Sequence, residues 1–63
     1  MSLGRNLTII LYDKKISQKE LAETIGISES VMARIVNGKK MPSVEKLIRI
    51  SNALGVTMDE LLK

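Results

Sequence analysis

Sixty-three residues with a formal net charge of +3 and neither cysteine nor histidine allow one domain, residues 1–63, whose modest core must hold without disulfide or metal staples. The missing residue types also remove the usual zinc ligands and the commonest general base, so an enzyme, a metal site and a cofactor are all unexpected. No apolar run approaches a membrane span and no signal peptide is visible, which points to a cytoplasmic protein with no membrane partner.

The first element runs from about Leu3 to Asp13 as a helix with Leu3, Leu7 and Ile10 on one face, although Leu7 to Tyr12 is apolar and β-branched enough to form a strand in isolation. A second helix starts at Ser17, which with Glu20 has capping-box spacing, while Ile16 and Leu21 have the spacing of a hydrophobic staple. Leu21 and Ile25 repeat at helical spacing, Ala22 is small enough for a close crossing, and Gly26 can take the left-handed conformation that ends the helix. Ser28 caps a third helix, Ile27 and Met32 repeat the staple spacing, and Asn37 with Gly38 stops it. A fourth starts after Pro42 with Ser43 as its cap, presents Val44, Leu47, Ile50 and Leu54 inward, and stops at Gly55. In the fifth, Thr57 and Glu60 repeat the capping box, Val56 and Leu61 repeat the staple, and Met58, Leu61 and Leu62 close the core. The expected fold is all-α.

The third helix carries the functional signal. On a wheel of about 100° per residue with Glu29 at zero, Ala33, Asn37, Ser30 and Arg34 fall at roughly 40°, 80°, 100° and 140°, an arc with no large apolar residue. Val31, Met32, Ile35 and Val36 fill the other side, so one face packs and the other is small and hydrogen-bonding. An ordinary surface helix has the same pattern, and the charge distribution adds to it. Residues 1 to 40 hold seven Lys or Arg against four Asp or Glu, and residues 41 to 63 hold three of each, which places the basic excess beside the central helix pair and favours an anionic partner.

Three stretches, ISQKELAETIGIS from Ile16, RIVNGKKMPS from Arg34 and LIRISNALGVTMDELL from Leu47, resemble the lambda-repressor and Cro type of helix-turn-helix, the XRE family, from about Leu3 to Leu62. The resemblance implies a compact five-helix lambda-repressor-like domain that binds a double-stranded DNA operator as a homodimer, with helix 28–37 in the major groove. It implies base reading by Glu29, Ser30 and Arg34, with Ala33 placed to touch a thymine methyl. Phosphate contacts are implied for Gln18, Lys19, Asn37, Lys39 and Lys40, and Gln18 also braces the recognition helix. The chemistry agrees: Arg34 can bind guanine O6 and N7 bidentately, and Ser30 can donate or accept.

The sequence departs from the family pattern in three places. Glu29 puts a carboxylate near phosphates, where it either accepts a hydrogen bond from cytosine N4 or only steadies the helix dipole. Leu11 and Val36 stand where many members place an Arg and a Glu as a buried ion pair, and the paired replacement leads to the expectation that the two side chains touch. Lys15 occupies a position often filled by glycine, where a side chain carries backbone strain. Ile9, Leu11, Tyr12 and Met41 further give the chain more apolar side chains than its core needs, either as scattered surface residues or as a contact with a second subunit. The leading expectation is a repressor-like transcriptional regulator. The alternative is a protein-interaction module, antitoxin-like, scaffold or co-regulator, that keeps the helix-turn-helix fold and docks a partner through those apolar residues.

Overall fold

A computed structural model of the chain describes residues 3–63, which form five helices: α1 (Leu3–Lys14), α2 (Gln18–Ile25), α3 (Glu29–Val36), α4 (Val44–Leu54) and α5 (Met58–Leu62). Four of these starts were legible as caps, and the caps are made. Ser17, Ser28, Ser43 and Thr57 all sit in extended backbone and accept a hydrogen bond from the amide three residues on. The Ser17 and Thr57 amides donate in turn to the Glu20 and Glu60 carboxylates, which completes the capping box at both.

The ends are equally regular. After α3 and α4 a glycine with positive φ closes a paired set of hydrogen bonds onto the last turn, Gly38 to Ile35 and Lys39 to Arg34, then Gly55 to Asn52 and Val56 to Ser51. The end of α1 uses the same geometry without glycine. Lys15 donates to Tyr12 and Ile16 to Leu11, and Lys15 holds a φ of 58°, the one positive value among described non-glycine residues. The strain expected at Lys15 is therefore present.

The core is built from Leu3, Leu7 and Leu11 of α1, Leu21, Ala22 and Ile25 of α2, Met32 and Ile35 of α3, Leu47, Ile50 and Leu54 of α4, and Leu61 of α5. Two sequence expectations change here. Leu11 is a core residue, 6% exposed, because α1 buries a face centred on Leu3, Leu7 and Leu11, with Ile10 half-buried beside it. Val44 points outward, 68% exposed against 5% for Leu47: with Ile48 four residues on, also exposed, it lies on a stripe turned away from the face that Leu47, Ile50 and Leu54 bury. Ile9, Tyr12 and Met41 are exposed as expected.

Packing places α2 against α3 and α4, α1 against α3 and α5, and α4 against α5. Gly4 permits the α1 to α3 contact. A Cβ at Gly4 would overlap the Val36 carbonyl oxygen and lie 2.9 Å from the Val36 carbonyl carbon, so α1 rests directly on the end of the α3 backbone. Two side-chain clasps tie the ends of the chain and the motif to the rest. Asn6 Nδ2 donates to the carbonyls of Leu61, at 2.7 Å, and Lys63. Arg49 donates to the Ile25 carbonyl at 3.2 Å, joining α4 to the end of α2. Leu11 and Val36 are carried by the packed pair α1 and α3, Leu11 buried and Val36 half-buried against the same core.

Candidate nucleic-acid interface

The turn between α2 and α3 sets the aim of α3. Gly26 ends α2 at φ 80°, and its amide and that of Ile27 both donate to the Ala22 carbonyl. Two residues later Ser28 accepts from Val31 at 3.1 Å and starts α3. Met32 and Ile35 are fully buried beneath, which fixes the rotation of α3 and turns Glu29, Ser30 and Arg34 to the exposed side. Ala33 lies between them, half-buried. Each expected base-reading residue thus occupies one outward strip, and Ala33 contributes a methyl set back from the longer side chains.

The expected backbone contacts frame that strip. Gln18, half-buried, and Lys19, exposed, begin α2, the helix packed on α3. Asn37 caps the end of α3, and Lys39 and Lys40 follow, all exposed. The Lys39 amide donates to Arg34 at 2.8 Å, so the loop leaves α3 in a fixed direction. None of these eight polar side chains, Gln18, Lys19, Glu29, Ser30, Arg34, Asn37, Lys39 and Lys40, makes a hydrogen bond or ion pair with another described residue. Their donors and acceptors face solvent unspent. The ion pair among the described residues, Arg49 with Glu45 at 3.5 Å, is carried by α4.

Arg5, which the sequence did not single out, lies beside the loop that follows α3. It lines a cleft with Asn37, Gly38 and Lys40, although 32 positions separate it from Asn37 in the chain. The available signal was Gly4, since a glycine inside an apolar helical pattern marks a close backbone approach, but the partner of that approach is not encoded locally.

A family model described as helix-turn-helix matches residues 11–61. The HTH-type transcriptional activator BcrR of Enterococcus faecalis is 34% identical over 62 residues, covering 98% of this chain and 30% of that protein. The immunity repressor protein of Bacillus phage phi105 is 29% identical over 62 residues, covering 98% of this chain and 43% of that protein. The crystal structure of the clp gene regulator ClgR from Corynebacterium glutamicum matches with a TM-score of 0.92 at 31% identity, over 97% of this chain and 65% of that one. The chain therefore spans 30% to 65% of the lengths of these relatives. A match that begins inside α1 and ends in α5 takes in the packed unit around the α2 and α3 pair rather than those two helices alone, and the chain belongs to the helix-turn-helix family of the lambda-repressor and Cro type.

Proposed function

We propose that the chain is a sequence-specific binder of double-stranded DNA that regulates transcription, placing α3 in the major groove of an operator. The observation that carries this reading is the outward strip Glu29, Ser30, Ala33 and Arg34, anchored from below by buried Met32 and Ile35 and unpaired on its outer side. An α-helix fits the B-DNA major groove, and this strip offers a guanidinium for guanine, a hydroxyl, a methyl for thymine and a carboxylate for cytosine N4. Gln18, Lys19, Asn37, Lys39 and Lys40 flank it as backbone contacts that fix register.

The reading includes a homodimer on the DNA, as the family resemblance implies. The longest principal extent of the described residues is 24 Å, and two recognition helices reading adjacent major grooves sit about 34 Å apart, so two half-sites need two copies. Regulation by occupancy, repressor-like, needs nothing beyond that binding. The names of the relatives include both an activator and a repressor, of which the chain covers 30% and 43%.

Selection of bound sequences from a random DNA pool, followed by stoichiometry on the winner, tests the reading. The expected outcome is an enriched site with two related halves about 10 base pairs apart, two copies bound, and a preference at one base pair per half that Arg34→Ala relaxes. A pool with no enriched sequence at low salt would refute it and leave the interaction-module alternative.

A further inference from the structure

Arg5 carries no role in the reading above, yet the fold delivers it to the DNA-facing loop. The cleft between the first turn of α1 and the end of α3 sets Arg5 beside Asn37 and Lys40, and no carboxylate lines it. Gly4 makes this placement firm. Any side chain at position 4 would meet the backbone of Val36 and Ile35, so the first turn of α1 sits on α3 with no spacer, and the residue that follows is held at the rim. Arg5 is exposed there, and its guanidinium has no hydrogen bond or ion pair with another described residue. Two cations sharing a cleft without a counter-charge gain nothing from each other inside the protein. Their arrangement suits a shared anion.

We propose that Arg5 is a DNA-backbone contact that, with Lys40, holds one phosphate beside the major groove entered by α3. This rests on the DNA-binding reading. The two side chains are suited to complementary parts: the planar guanidinium of Arg5 can engage two phosphate oxygens at once, and Lys40 supplies a flexible point charge. The contact comes from α1, outside the two motif helices, and it anchors the end of α3 opposite Glu29. The competing use of Arg5 is local, because α3 ends in this cleft and a cation near its last carbonyls is favoured by the helix dipole. That use affects folding stability and leaves the salt dependence of DNA binding unchanged.

The experiment measures binding of the selected duplex across about 50 to 200 mM salt for the wild type, Arg5→Gln, Arg5→Lys and Lys40→Gln. Each phosphate left without a cation flattens the slope of log affinity against log salt by about 0.9, so Arg5→Gln combined with Lys40→Gln flattens it by about 0.9 per bound copy and about 1.8 for a pair, and each single variant flattens it by part of that. Arg5→Lys keeps most of the wild-type slope, since it keeps the charge. Single uncharged methylphosphonates walked along the duplex then find a position whose neutralisation weakens the wild type more than it weakens Arg5→Gln or Lys40→Gln, in each of which one cation alone still holds that phosphate. Wild-type slope in Arg5→Gln, with a flattened slope in Lys40→Gln, overturns the proposal and leaves the DNA reading standing. No salt-dependent binding by the wild type to any duplex overturns both.

Discussion

Gly4→Ala sets two well-known effects against each other, and the structure decides between them. In a solvated helix the change is stabilising by about 0.5 to 1 kcal/mol, because glycine loses more backbone entropy on folding than alanine. Here Gly4 is buried, and the new methyl would meet three backbone atoms of α3: the Val36 oxygen, the Val36 carbonyl carbon at 2.9 Å and the Ile35 oxygen at 3.2 Å. Backbone cannot rotate out of the way as a side chain can, so α1 must lift off the end of α3. Overpacking of this kind costs about 1 to 3 kcal/mol, and contact with backbone places it at the upper end. Setting about 3 against a gain of about 1 leaves a net loss of about 2 kcal/mol, which for a domain of this size lowers the melting temperature by about 10 °C. Thermal and urea unfolding followed by circular dichroism read both quantities, with an unchanged urea slope confirming that the comparison is of stability. A Gly4→Ala protein that melts at or above the wild type would show that propensity wins and that α1 does not lie on α3 as closely as described.

Lys15→Gly should raise stability by about 1 kcal/mol, since Lys15 holds φ 58° where glycine carries no Cβ penalty; chemical denaturation reads it, and a loss of stability would sink the strain argument. Leu11→Arg alone puts an unpaired charge in the core and should cost about 3 to 5 kcal/mol, enough to unfold much of the population of so small a domain. Adding Val36→Glu should restore cooperative unfolding if the two side chains meet; a double variant no more stable than Leu11→Arg would show that they do not couple. Glu29→Gln should tighten binding to unrelated DNA while reducing preference at one base pair by about 1 to 3 kcal/mol, and unchanged preference in a competition assay would reduce Glu29 to a helix-dipole role.

Features specified by neighbouring residues were legible in the sequence. The capping residues Ser17, Ser28, Ser43 and Thr57 and the stops Gly26, Gly38 and Gly55 stand where local spacing puts them, because a cap needs only three or four consecutive residues. The strained Lys15 was legible only through the family resemblance. What failed was the inside or outside assignment of apolar residues, which local periodicity underdetermines. Val44 repeats with Leu47 at helical spacing, yet it shares the exposed stripe of Ile48 rather than the buried face of Leu47, Ile50 and Leu54; Leu11 read as surplus because the family resemblance implied a charge at its position. Contacts between distant residues left still less trace. Nothing near Asn6 announces the carbonyls of Leu61 and Lys63, and nothing near Arg5 announces Lys40.

The charge along α3 is ordered, and that order gives the modest net charge of +3 a different meaning. Glu29 stands at its first turn, where the helix dipole stabilises a carboxylate, and Arg34, Lys39, Lys40 and Arg5 gather toward its far end. Phosphates are attracted at one end and repelled at the other. With α3 in the groove as proposed, the repulsion at Glu29 would be uncompensated on unrelated DNA and would weaken every such site alike. In the proposed complex, a site that presents cytosine N4 to Glu29 would give the same carboxylate a hydrogen bond while the far end kept its phosphate contacts. The gap between right and wrong sites therefore widens even as absolute affinity falls, because discrimination is a difference of free energies and a penalty on the wrong partner serves as well as a gain on the right one. Among a large excess of competing DNA, that ratio governs occupancy.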